Sequence, residues 1–118
     1  MKIPVGVSKS HAHLSSEDRI RIFGDTPLTK KRDLRQKGEF VYKERLMIRG
    51  PSGIYESIAI IGPDRPHTQV ELTGSMARKL GYENLPVNQS GDLTNAKEVI
   101  IENNPDEQIV LDTCVIIV

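Results

Sequence analysis

The fold class this sequence predicts is mainly β, a small capped β-barrel with two short α-helices. Three observations carry it: short apolar runs of strand length, Gly/Pro turn clusters between them, and only two segments with both a helix start and a helix stop. The 118 residues suit a single domain over 1–118, large enough to bury roughly two thirds of its unfolded surface around one core.

Each element has its own warrant. Ile3, Val5 and Val7 alternate at period two and lead into His11-Ala12-His13, which predicts a first strand running to the histidines. Ser15 then caps a helix over 15–23, with Asp18 as a partial capping box and Gly24 as the stop. Residues 30–38 are rich in Lys and Arg and too polar for a core. Residues 45–49 and 54–61 flank Gly50-Pro51-Ser52-Gly53, the turn chemistry of a β-hairpin. A strand at 68–72 is entered through the Gly62-Pro63-Asp64-Arg65-Pro66 segment. Thr73 caps a second helix in which Met76, Ala77 and Leu80 share a face before Gly81 ends it. Strands at 99–101 and 109–118 close the chain, separated by the turn-like Asn103-Asn104-Pro105-Asp106. Neither a long internal repeat nor a low-complexity linker interrupts this order.

Composition excludes several function classes. Sixteen basic and sixteen acidic side chains cancel, so no global field draws the chain onto nucleic acid or an anionic membrane. The absence of Trp and the scarcity of other aromatics argue against base stacking. Cys114 is the only cysteine, which rules out an intramolecular disulfide framework and suits a small apolar role in a reducing compartment. Met1-Lys2 leads straight into a strand, and no run approaches the ~18 apolar residues of a membrane span. A cytoplasmic protein with no nucleic-acid or membrane partner is the expectation.

The chemistry concentrates at His11 and His13. Side chains two apart on a strand share a face, about 6–7 Å apart along the backbone, so two imidazoles can converge on one metal ion. A catalytic zinc takes three protein ligands and keeps a fourth position open. Glu44 and His67 are both candidates for the third, and spacing does not choose between them. The cationic run Lys30, Lys31, Arg32, Arg35 and Lys37 suits ligand phosphates, and equally a solvated loop.

Residues 3–8 followed by His11-Ala12-His13-Leu14-Ser15 resemble the opening of the phosphate propanoyltransferase (PduL-type phosphotransacylase) family. Further matches follow in register: Leu28-Thr29, Asp33-Leu34, Gln36-Lys37-Gly38-Glu39-Phe40, Glu44, Gly62-Pro63 with Arg65, Thr68-Gln69-Val70-Glu71 and Ser90-Gly91-Asp92-Leu93. The resemblance implies a capped barrel that pairs with another across two zinc ions. It also implies the interconversion of acyl-CoA plus phosphate with acyl phosphate plus coenzyme A. Carried over residue by residue, it assigns His11, His13 and Glu44 to the first zinc, whose remaining position accepts the coenzyme A sulfur. Arg65 matches an arginine near the phosphate, and Gln36 and Gly38 a lid over the site. Association with a bacterial microcompartment comes with the same resemblance.

The chain departs from the family pattern at Lys9-Ser10, commonly Asn-Arg, and at Lys37, commonly Pro. Members also continue into a second half with its own His-x-His and a further histidine for the second zinc, so residues 1–118 match the N-terminal half. With that half as the unit, Ile3 to Val7 and Val115 to Val118 are expected to expose apolar edges. A homodimer follows as the expected assembly, each chain supplying one His-x-His and the N-terminal strand open to exchange. The competing class is a non-catalytic zinc- or coenzyme A-binding barrel that acts through protein interaction.

Overall fold

A computed structural model describes residues 9–35 and 38–117. The expected strand at 3–7, the lid residue Gln36 and the terminal Val118 lie outside the described residues. The elements run β1 (His11–His13), α1 (Ser16–Phe23), β2 (Lys30–Asp33), β3 (Phe40–Arg49), β4 (Ile54–Gly62), β5 (Gln69–Leu72), α2 (Gly74–Lys79), β6 (Val87–Asn88), β7 (Lys97–Ile101) and β8 (Ile109–Ile117).

Pairing closes the sheet. The path β3-β4-β1-β5-β8 returns to β3 through β7, which pairs with both β8 and β3, giving a six-stranded barrel with β2 and β6 added outside the ring. Alternation decides what each wall residue faces. Ala12 is in register with Ile60 and Val70, and Val70 with Cys114, and all four are fully buried in the central apolar cluster. Leu46, Ile48, Ile58, Leu72, Val99, Ile101 and Ile109 complete that interior. His11, His13, Gln69 and Glu71 have the opposite parity and therefore stand on the outer face of the same wall.

The strand expectations hold with longer boundaries, since the hairpin starts at Phe40 and continues to Gly62. Two strands escape the sequence reading. β2 carries Lys30-Lys31-Arg32-Asp33 exposed along an outer edge, where charge protects against edge-to-edge association. β6 is only two residues long. The expected apolar edge at the chain's end is corrected: Val115 is fully buried, and β8 has β5 on one side and β7 followed by β6 on the other. Cys114 packs inside as expected, its thiol pushed up to about 12 by burial.

Both helices are fixed by their caps. The Ser15 side chain accepts from Asp18 N at 3.1 Å, and Gly24, at φ +83°, returns its N–H to Ile20 O at 2.7 Å. In α2 the Thr73 hydroxyl accepts from Met76 N at 3.2 Å. A helix of six residues has few hydrogen bonds of its own, so its cap matters in proportion. Thr73→Ala is expected to cost about 0.5–2 kcal/mol in urea unfolding. An unchanged midpoint would mean that packing of Ala77 alone holds the helix.

The site depends most on the turn after β4. A Cβ at Gly62 would lie 2.5 Å from Phe40 Cε1 and 2.9 Å from Tyr42 Cε2, so only glycine lets the chain pass under the two rings. Beyond it, Asp64 accepts from Arg19 Nε at 3.1 Å and from Ser16 Oγ at 2.7 Å, and Arg65 N donates to Leu14 O at 2.9 Å. These bonds tie the Arg65 backbone to the junction between β1 and α1.

Candidate metal centre and its arginine

β1 pairs antiparallel with β5, placing His11 opposite Glu71 and His13 opposite Gln69. Side chains opposite each other share a face, so the pairing delivers a carboxylate to the two imidazoles. Glu71 Oε2 lies 3.5 Å from His11 Nε2 and 3.2 Å from His13 Nε2, and the two rings meet edge to face with centroids 5.0 Å apart. The candidate ligand atoms all lie within 4.8 Å of one another. His13 and Glu71 are buried and His11 is partly exposed.

The donor set fits a zinc ion. Tetrahedral bonds of about 2.05 Å separate neighbouring ligand atoms by about 3.3 Å, and the observed 3.2 and 3.5 Å bracket that value. His11 Nδ1 lies 2.8 Å from Lys9 O, which places its proton on Nδ1 and leaves the Nε2 lone pair for a metal. Among the described residues, the buried His13 Nδ1 finds no hydrogen-bond partner.

Electrostatics follow the same geometry. Burial pushes the Glu71 carboxyl up, but hydrogen bonds and charge from His11 and His13 outweigh it and hold the group well below the ordinary carboxylate range. Burial likewise opposes the charged form of His11. The Glu71 contact and the Lys9 carbonyl outweigh it, and the His11 pKa is raised.

The expected residues fall into two groups. The structure brings His11 and His13 together and connects them to Arg65. The Arg65 Nη1 group donates to Ser90 Oγ, which donates to Glu71 Oε2 at 3.1 Å, and Nη2 donates to Glu39 Oε2 at 3.0 Å. Glu44 and His67 do not join the His-His-Glu group. Glu44 Oε1 accepts from Thr29 N at 2.9 Å; burial raises the Glu44 pKa, but this bond leads the effects that together outweigh it and lower it. His67 lines a cleft of 450 Å³ with Ser15, Arg65 and Thr68. A larger hollow of 660 Å³ around Tyr82 and Lys97 gathers no comparable donor set among the described residues. Gly38 sits in the turn before β3 at φ +87°.

Sequence reasoning missed Glu71 as a partner of the histidines. The available signal was the alternation of Gln69 and Glu71 within a strand otherwise made of Val70 and Leu72. Gln69 is buried because it holds the next loop: its Oε1 accepts from Gly91 N, and its Nε2 donates to Asp92 O at 3.0 Å. Asn88 Nδ2 donates to Asp92 O at 3.0 Å and Thr94 O at 2.8 Å, and Gly91 takes φ +92°. That loop presents Ser90 to Arg65 and Glu71.

Comparison with known proteins bears on this arrangement. The phosphate propanoyltransferase family profile matches residues 4–118. This chain belongs to that family. The phosphate propanoyltransferase of Thermotoga maritima is 43% identical over 100 residues, covering 84% of this chain and 47% of the relative. Those of Alkaliphilus metalliredigens and Clostridioides difficile are 41% and 40% identical, covering 86% and 89% of this chain and 48% and 50% of theirs. The chain thus spans about half the length of the curated relatives it matches. No helix among the described residues is long and apolar enough to cross a membrane.

Proposed function

We propose that this chain supplies the first metal site and the phosphate-binding arginine of a phosphate acyltransferase, which interconverts acyl-CoA plus phosphate with acyl phosphate plus coenzyme A. Family membership supports the reaction class. The observation that carries the residue assignment is the continuous connection from His11 and His13 through Glu71 and Ser90 to Arg65. On this reading His11, His13 and Glu71 hold zinc, with Glu71 in the place the sequence reading gave to Glu44.

Zinc bound there would favour the thiolate of coenzyme A and so stabilise the sulfur that leaves when acyl-CoA is consumed. The remaining roles belong to the chain. Arg65 offers N–H donors to phosphate, the nucleophile in that direction, and Ser90 fixes one edge of the guanidinium relative to Glu71. His11 keeps its Nε2 directed at the site through the Nδ1 bond to Lys9 O. Gln36 and Gly38 belong to a lid on the same reading. A homodimer also belongs to it, since the group stands on the outer face of the barrel wall, where a second copy can form the opposing side of a cleft. A microcompartment location rests on the family resemblance alone.

The test is thiol release from acetyl-CoA or propanoyl-CoA with phosphate, using zinc-loaded protein, with sedimentation run in parallel. Arg65→Ala is expected to weaken phosphate use by about 1.5–3 kcal/mol while leaving zinc content unchanged. Turnover with wild-type kinetics in that variant would return Arg65 to a surface cation. Zinc binding without any turnover by the wild type would favour the non-catalytic module.

A further inference from the structure

Arg65 is the cation that the proposed function assigns to phosphate, yet its guanidinium already faces an anion from its own chain. Nη2 donates to Glu39 Oε2 at 3.0 Å, and both side chains are largely withdrawn from solvent, at 28% and 20% exposure. A guanidinium has two edges that can hold an oxyanion in bidentate fashion, Nε with Nη2 and Nη1 with Nη2. Both include Nη2. Glu39 takes one N–H of Nη2, the nitrogen common to both edges, and the Ser90 hydroxyl takes one N–H of Nη1. A phosphate seeking Nη2 therefore meets the Glu39 carboxylate, and the two like charges repel.

Glu39 is also well placed to yield. It follows Gly38 at the foot of the connection from β2 to β3, and its backbone carbonyl accepts from Leu34 N at 2.9 Å. The backbone is thus held by its hydrogen bond to Leu34, while the Arg65 contact is made by the side chain alone. Loss of that contact leaves the strand register, in which Asp33 faces Phe40, intact.

We propose that Glu39 is an affinity-setting residue of the phosphate site, a built-in competitor that occupies Arg65 until phosphate displaces it. The proposal rests on the assignment of Arg65 to phosphate. It differs from a supporting role in sign: a residue that merely held Arg65 in place would weaken phosphate binding when changed, whereas a competitor strengthens it.

Calorimetric titration of inorganic phosphate into zinc-loaded protein at low ionic strength tests this with wild type, Glu39→Gln, Glu39→Ala and Arg65→Ala. Glu39→Gln keeps the side chain's shape and removes its charge, and is expected to bind phosphate about tenfold more tightly. Glu39→Ala should follow it, which guards against a failure of one variant to fold, and Arg65→Ala should lose binding. Unchanged or weaker binding by the two Glu39 variants, with Arg65→Ala still defective, overturns the competition and leaves the function standing. Binding that survives Arg65→Ala, or is absent from wild type and both Glu39 variants, overturns the assignment of Arg65 and the competition with it.

Discussion

Glu71→Ala is expected to lose zinc, while Glu44→Ala retains about the wild-type affinity. In a three-residue site each ligand is a large share of the total, and loss of an outer partner alone already costs about 10–100-fold in metal affinity. The loss at Glu71 should therefore exceed about 100-fold, and His13→Ala should match it. Glu71 has both imidazoles within 3.5 Å, whereas Glu44, on β3, is engaged by the Thr29 amide just before β2. Competition with a chromophoric chelator reads the affinities directly, and circular dichroism confirms that each variant is folded. Retention of zinc in Glu71→Ala with its loss in Glu44→Ala would restore the assignment drawn from family resemblance and would require Glu44 to leave Thr29 on metal binding.

The contrast between these two glutamates shows where sequence stops being informative. The pair of histidines is legible because spacing on one strand is a local property: two residues apart means one face. The third ligand is not local. It depends on β5 pairing with β1 in a register that sets Glu71 against His11, and a shift of one residue would have presented Val70 instead. Alternation of Gln69 and Glu71 does mark a polar face on an otherwise apolar strand, but does not say which strand will lie beside it. The barrel interior was legible for the same reason as the histidines, from apolar residues at period two. β2 was not, because its four exposed charged residues carry no alternation, and its strand geometry comes from pairing with β3. Arg65 was legible as a cation, but its engagement with Glu39 and Ser90 joins residues 26 and 25 positions apart, which only the closed sheet brings together.

Metal-free protein should be most stable in mildly acidic solution, and zinc should move that maximum upward. Glu71 is held below its ordinary pKa in the folded state, so its contribution is complete above the unfolded value of about 4.3 and is lost as pH falls through the folded value. His11 is shifted the other way. Its contribution is complete below the unfolded value of about 6.5 and is lost as pH rises through the raised folded value. Between about pH 4.5 and 6.5 both contributions are present. Asp64, also lowered, shares the acid limb, so the alkaline limb is the sharper diagnostic. Zinc competes with protons for the imidazoles and is bound by their neutral form, so it should stabilise most where the metal-free protein weakens. Urea unfolding between pH 3 and 8, in chelator and in excess zinc, measures both curves. Glu71→Gln removes the anion that raises His11, and in chelator should flatten the decline between pH 6.5 and 8. An equally steep decline in that variant would show that the Glu71 charge is not what sustains the protonated His11.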